Sequence, residues 1–509
     1  MNNFISFFFP KVNFAPDDLP SSKKLLLTFL FAIIFSFFSI IPMSFVLNNL
    51  NFNLFQSLPF PRYYYNVFYG LFDFTFASLT GSLLLALGLS WFTLVLFRHY
   101  KGSSLFIKSY EDFNNLNDIY KSLSIIFTIF IQCAYVVIGY YGNQLNLLAI
   151  ILIVFVSLII IWVFLYFDER LKKGWGYSNG FSLYLFISIS ENLLYNLGSF
   201  ANFADGIIEI PNLNQLLPIG VINALFTAML QNGIINGFIE IFFRINHPRN
   251  SVFSVILILG MVFILLWKKD IFSKQPNLKT DISYKLKNEF NLINKTIDPL
   301  FFALLCLNIL YLVSFVFANI LPDFLFTQWL GQFDPASKTP TAGVVFYFNP
   351  EKRIIYTIMN ESFSFVLSEI IIDLIKLIIF VIFFVFFIKV FLLLNAYTKH
   401  IDPSIASLSS DEQNKDYQDF SINQWTIIVT TFYLLDTFGI ISGAIFVFIF
   451  VLLSKELYNK FSFDNIPIKS KFIYLFFLVI IGYLFIIFGG SIISVYTQST
   501  SIGINTFFN

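Results

Sequence analysis

Long apolar runs separated by short polar and charged links set the pattern of this chain. About 20 residues at helical rise cross the hydrocarbon core of a bilayer. Runs of that order fall near 24–46, 72–97, 121–142, 145–167, 180–200, 251–267, 299–320, 366–394, 422–439, 441–461 and 471–494, which predicts eleven spans. A further apolar stretch, "LLPIGVINALFTAMLQNGIINGFIEIFF" (216–243), is interrupted by Asn223, Gln231, Asn232, Gly233, Asn236 and Gly237. Its length suits a plain span; its interruptions suit a non-spanning element whose irregular backbone stays wet or protein-covered. The opening segment, "MNNFISFFFPKVNFAPDDLPSSKK", lacks the short apolar core and cleavage site of a signal peptide. Its phenylalanines and Pro10 predict a short helix lying on the membrane surface over 1–23.

Lysine and arginine then fix the orientation, because cytosolic loops carry the excess. With the N-terminus cytosolic, twenty-four of these residues fall on the cytosolic side and six on the other (Arg62, Arg244, Arg249, Lys338, Lys352 and Arg353). The same bias decides the stretch 216–243. Were it a twelfth span, the seven lysines between 268 and 295 would lie outside, so it is expected to form a hairpin against the outer face or half inserted there.

Composition agrees: 57% hydrophobic residues, 12% charged and a mean hydropathy of +0.77 are membrane values. Cys133 and Cys306 both lie inside apolar runs, which gives no disulfide framework. His99, His247 and His400 are scattered, and no metal, cofactor or catalytic motif appears, so the chain is not expected to be an enzyme.

One link carries more than its neighbours. "FDERLKKGWGYSNGFSLYLFISISENLLYNL" (167–197) places a knot of charge and three glycines, Gly174, Gly176 and Gly180, between two apolar runs. "DERLKK" is expected to form the solvated end of a helix, and the glycines to allow a turn. The next helix carries Ser188, Ser190, Glu191 and Asn192, which would either face a water-filled cavity or join packed helices.

The order of residues in this link resembles that between the fourth and fifth helices of the SecY family, in its archaeal and eukaryotic form. Asn179-Gly180 stands here where that pattern has Ser-Gly, and Phe181 where it has Ile. The resemblance extends through "FPKVNFAPDDLPSSKKLLLTFLFAIIFSFFSIIP" (9–42), "SLTGSLLLALG" (78–88), "FIEIFFRINHP", "INKTIDPLFFALLCLNILYLVS", "TPTAGVVFYFNP" (339–350) and "LLDTFGIISGAIFVFIF". It implies an all-α polytopic membrane protein, a ten-helix clamshell of two inverted five-helix halves, with one extra C-terminal transmembrane helix. The halves would cover 24–200 and 251–465, with a luminal hairpin over 201–250 and the extra helix and luminal tail in 466–509.

That family conducts polypeptides across a membrane and releases apolar segments sideways into lipid. Carried over, its pore ring falls near Leu79, Leu185, Ile189, Phe301 and Ile445, although apolar residues on helices are also ordinary core. Phe301 departs from the aliphatic pattern of the ring. The polar groups of its lateral gate fall at Thr80, Gln132 and Asn308, each of which could instead be packing glue. Its plug corresponds to the aromatic-rich segment 48–70, with Pro59 and Pro61.

The resemblance also implies partners: small beta- and gamma-type subunits, a ribosome or other translocation partner, nascent polypeptides and lipid, in the endoplasmic reticulum membrane (the plasma membrane in a prokaryote). Lys268, Lys269, Lys274, Lys279, Lys285 and Lys287 would supply docking charge. The loop 395–421 carries Asp411, Glu412, Asp416 and Asp419 where the family is basic. Two alternatives stay open, a non-conducting scaffold and a secondary transporter. The latter would use ionisable groups at mid-membrane depth, with Glu191, Glu369, Asp373, Lys376 and Asp436 as candidates.

Overall fold

The computed structural model describes residues 12–16, 18–40, 83–101, 110–137, 147–198, 217, 220–244, 251–267, 298–322, 324–333, 340–348, 363–400, 430, 450–454, 457–458, 460–461, 466–467, 469–481 and 484. Eleven helices with defined bounds run through them. They are α1 (Ser21–Ile40), α2 (Leu83–Lys101), α3 (Tyr110–Val137), α4 (Leu147–Arg170), α5 (Gly180–Gly198), α6 (Val221–Asn232), α7 (Ile234–Phe243), α8 (Val252–Trp267), α9 (Asp298–Ile320), α10 (Leu325–Leu330) and α11 (Phe363–His400). A π-helical turn, Leu171–Trp175, extends α4. A two-stranded antiparallel ribbon, β1 (Gln332–Phe333) and β2 (Pro340–Ala342), and a 3-10 turn (Val344–Phe348) lie between α10 and α11.

Five of the described helices are long and apolar enough to cross a membrane: Ser21–Phe38, Asn114–Val137, Leu147–Trp175, Phe301–Ile320 and Ile370–Phe391. Leu85–Leu94 and Gly180–Ser190 are shorter apolar stretches. Their outward faces are as greasy as their inward ones. On α4, Ile153, Ile160 and Phe164 are buried while Ile151, Phe155, Ile159 and Trp162 are exposed. A helix apolar all round has no face for water, which is the state of a membrane span. The expected spans at 422–439, 441–461 and 471–494, and the plug at 48–70, lie wholly or partly outside the described residues.

α5 is the most enclosed element. Phe181 and every residue from Leu183 to Ile187, together with Ile189, are buried. α1 and α4 cover one side of it through Phe35, whose ring meets Phe164 at 5.1 Å and Tyr184 at 6.1 Å. The C-terminal residues cover another: Phe186 stacks on Phe450 at 5.0 Å. Residues 469–481, at the start of the span expected over 471–494, reach α1 through Tyr474, 6.4 Å from Phe29.

Two expectations are corrected here. "DERLKK" is not a solvated end: Asp168, Glu169, Lys172 and Lys173 are each no more than 4% exposed. Lys121, counted with a cytosolic loop, is also buried, because α3 begins at Tyr110 and carries it into the core. Charged residues tolerate such burial only when paired, and the pairing is complete, as described next.

Candidate functional site

The link between α4 and α5 is built around two carboxylates. Glu169 bridges Lys121 of α3 at 2.6 Å and Lys173, one turn on, at 2.7 Å. Asp168 pairs with Lys172 at 2.6 Å through Oδ2, and its Oδ1 accepts the Gly180 amide at 2.7 Å. Asp118, partly exposed, adds a contact of 3.4 Å to Lys121. Three lysines thus face three acids, and Arg170 beside them lays its guanidinium over the Tyr166 ring at 4.8 Å. The ammonium of Lys172 also sits 4.4 Å from the centroid of the Tyr120 ring.

The backbone is shaped to permit this. Gly174 takes φ +86, so the chain leaves the π-turn where a side chain would be strained. A Cβ on Gly180 would lie 2.9 Å from Asp168, so the carboxylate reaches the α5 amide only because that position is bare. Asn179 caps α5 by accepting the Ser182 amide at 2.7 Å, a role for which Asn serves as well as Ser. The N-terminal arm closes over the knot: Lys173 Nζ donates to the Val12 carbonyl at 2.6 Å, Trp175 Nε1 to Asn13 at 2.8 Å, and the Ala15 amide to Lys173 at 2.9 Å.

Deeper along α5, Phe181, Leu185 and Ile189 recur every fourth residue on one face and are fully buried. The ring of Phe301, at the start of α9, meets Phe181 edge-on at 5.2 Å. Phe301 therefore stands about one turn nearer the knot than Leu185 and about two turns nearer than Ile189. The neighbouring Leu304 and Leu305 are as fully enclosed as the α5 residues. Leu79 and Ile445 lie outside the described residues.

The junction of α2 with α9 and α11 is aromatic. Trp91 reaches Phe301 at 5.8 Å, Phe302 at 6.3 Å and Phe391 at 6.0 Å; Phe92 stacks on Phe302 at 5.2 Å, which meets Phe391 at 5.2 Å. Of the three polar positions assigned to a gate, Gln132 is buried on α3, Thr80 lies outside the described residues, and Asn308 falls on α9 with its side chain outside them. Beside Gln132's helix face, the Ser124 and Ser90 hydroxyls lie 3.0 Å apart and tie α3 to α2. Sequence reasoning missed this aromatic junction. Trp91 sits in an apolar run where nothing in its spacing separates a partner across a seam from lipid contact.

The polar residues of α5 divide. Ser190 donates to the Ile187 carbonyl at 2.7 Å and is satisfied within its own helix. Ser188 is buried, and its hydroxyl has no hydrogen-bond partner among the described residues. The side chains of Glu191 and Asn192 lie outside the described residues, as do Asp436 and the Glu369 side chain. Asp373 and Lys376 are buried on α11, with the Lys376 ammonium 3.9 Å from the centroid of Phe346 in the 3-10 turn. Lys376 occupies the second turn of the apolar span Ile370–Phe391 and the fourth turn of α11. The lysines at 268, 269, 274, 279, 285 and 287 lie outside the described residues, which contain no cluster able to hold a metal ion.

Compared with solved structures, this chain is similar to Sec61 in the canine ribosome–channel complex from the endoplasmic reticulum, with a TM-score of 0.61 and 13% identity over 92% of this chain and 97% of that one. It is similar to a structure described as a protein-conducting channel, with a TM-score of 0.60 and 13% identity over the same shares. It is also similar to the idle yeast Ssh1 complex bound to the yeast 80S ribosome, with a TM-score of 0.51 and 14% identity over 88% and 91%. No family profile and no curated protein matches the sequence. The fold is that of the SecY and Sec61 alpha subunits, an all-α multi-pass membrane architecture, carried by a strongly divergent sequence.

Proposed function

We propose that this chain is the central subunit of a protein-conducting channel, passing unfolded polypeptides across a membrane and releasing apolar segments sideways into lipid. The observation that carries the reading is the extent of the shared fold, over 92% of this chain and 97% of Sec61. Local features agree with it. A face of fully buried apolar side chains on the central helix, Leu185 and Ile189, suits a constriction that dewets against ions and grips a sliding chain without sequence preference. Leu79, Ile445 and an α9 residue from the Phe301–Leu305 turn would complete the ring.

In this reading the seam of α2 and α3 against α9 and α11 is the lateral exit, with Gln132, Thr80 and Asn308 as its polar groups and Trp91 as its aromatic closure. The energy for transport comes from partners. The lysine loop 268–298 faces a ribosome or another motor, and small beta- and gamma-type subunits flank the channel in the endoplasmic reticulum membrane with the N-terminus cytosolic. The acidic loop 395–421 argues for a docking mode that relies on 268–298 alone.

The test is site-specific crosslinking from Ile189 to a stalled secretory chain in native membranes, with the exposed Phe477 as control. Adducts from Ile189 alone place a polypeptide in the pore. Equal or absent labelling at both positions, with the protein folded and present, overturns the reading.

A further inference from the structure

The hairpin formed by α6 and α7 is packed inside out for an element in water. Its two arms, of 12 and 10 residues, rise about 18 and 15 Å, well short of a hydrocarbon core of about 30 Å. They reverse at Gly233, which takes φ +83. Small residues line the seam between them: Ala224 and Ala228 are fully buried, and a Cβ on Gly237 would lie 2.5 Å from the Ala228 carbonyl, so the arms touch backbone to backbone. Val221 and Ile241 are buried with Ala224 and Ala228, and most other large apolar residues of the arms point away from that seam. Ile222, Phe226, Leu230, Ile234, Ile235 and Ile239 are all exposed, Leu230 by 86% and Ile235 by 74%.

In water the arrangement would be reversed, with large side chains driven inward. Lipid removes that drive, and helix pairs there close on small residues while large ones face the tails. Charge agrees: 221–239 holds no ionisable residue. The one acid of the two arms, Glu240, points back toward the turn, accepting from Asn232 at 2.8 Å. Arg244, which ends α7, is buried beside it, and burial lowers its guanidinium to about 10 against the opposing pull of Glu240. The hairpin is also continuous with a span. Phe238 meets Phe242 at 5.5 Å, Phe242 meets Phe253 of α8 at 6.0 Å, and α8 goes on to expose Ile256 and Leu259.

We propose that α6 and α7 form a lipid-interface anchor, lying in one leaflet with the stripe from Ile222 to Ile239 immersed in the acyl region. Depth is limited by the turn. The first amides of α7 have no partner within the helix, and Gln231 and Asn236 are exposed there, so the tip stays within reach of headgroups and water. An immersion of about 5–10 Å meets both demands. The proposal goes beyond the channel reading and rests on the membrane-embedded fold alone, so it stands or falls independently of polypeptide conduction.

The experiment uses the full chain, with Cys133→Ala and Cys306→Ala, in nanodiscs of phosphatidylcholine and phosphatidylglycerol. Nitroxide labels are placed singly at Leu230→Cys and Ile235→Cys, with the exposed Asp18→Cys, which precedes the first span, as aqueous and Phe477→Cys as lipid reference. Both test positions are exposed, so the substitutions cost little packing. Labels at 230 and 235 are expected to match 477, favouring collision with oxygen over a water-soluble nickel chelate by about tenfold relative to 18. Preference for the chelate, as at 18, overturns the anchor by placing the hairpin in water. Protection from both reagents overturns it equally, by showing that protein covers the stripe. Crosslinking from Ile189 reads the conduction proposal separately and is not expected to depend on these labels.

Discussion

The knot joining α3, α4 and α5 and the seam joining α2, α9 and α11 are both buried, yet they hold by opposite means. In the knot, Glu169 and Asp168 are fixed by charged contacts of 2.6–2.7 Å, each requiring one geometry. In the seam, Trp91, Phe301, Phe302 and Phe391 meet at 5.2–6.3 Å in tilted and edge-on arrangements. Ion pairs out of water are directional and costly to part, because separation strands a charge. Aromatic contacts are worth about 0.5–1.5 kcal/mol each beyond the area they bury and can slide, part and reform. The difference separates a framework from a candidate joint: ion pairs tie the N-terminal helices into one body, and in the channel reading proposed above the contact with α9 and α11 is the one expected to open.

The sharpest way to break this contrast is to remove the acid that two lysines share. Glu169→Gln keeps the shape, strands Lys173 without its counter-charge and leaves Lys121 only the longer contact to Asp118 at 3.4 Å. A loss of about 3–5 kcal/mol is expected, read as a fall in the thermal midpoint in detergent. Replacing all three groups together, Glu169→Leu with Lys121→Met and Lys173→Met, is expected to recover most of it, since no charge is then stranded. An unchanged midpoint in Glu169→Gln would mean that the knot is not the framework.

The seam answers differently. Trp91→Ala removes the ring that touches both α9 and α11, a truncation of about 3 kcal/mol in a well-packed site. Here it is expected to emerge as opening rather than unfolding. The distance between spin labels on α2 and α9, measured by pulsed electron resonance in lipid, should gain a longer population while the thermal midpoint moves much less than in Glu169→Gln. If the midpoint falls as far and no longer distance appears, the seam is ordinary core and the contrast fails.

How these regions could be read beforehand follows from the same physics. The apolar runs announced the five described spans, because a bilayer demands length and greasiness that the sequence displays directly. The interruptions at Asn232, Gly233 and Gly237 likewise announced a break in 216–243, and the structure shows two short helices turning there. "DERLKK" misled, since charge in sequence reads as exposure unless its partners are known, and Lys121 lies 48 residues before Glu169. Leu185 and Ile189 entered the proposed ring only through family resemblance, because apolar spacing marks buried core and a pore constriction alike. Trp91 gave no signal at all: its partners are more than 200 residues away, and aromatic pairing has no spacing rule across such a distance.

The smallest expected effect separates the knot from the arm that covers it. Trp175→Phe keeps the ring and removes the one N–H that reaches the Asn13 carbonyl. A half-exposed hydrogen bond of this kind contributes about 1 kcal/mol or less, roughly fivefold in the open population of the arm. Limited proteolysis within residues 12–16 should quicken by about that factor while the thermal midpoint stays with the parent. Lys173 makes the outcome informative, because its ammonium serves both Glu169 and the Val12 carbonyl. If loosening the arm also lowers the midpoint toward that of Glu169→Gln, the arm is part of the framework and shares the knot's cooperativity. If only proteolysis changes, the arm is a separable cover, and the rigid body ends at the three lysines and three acids beneath it.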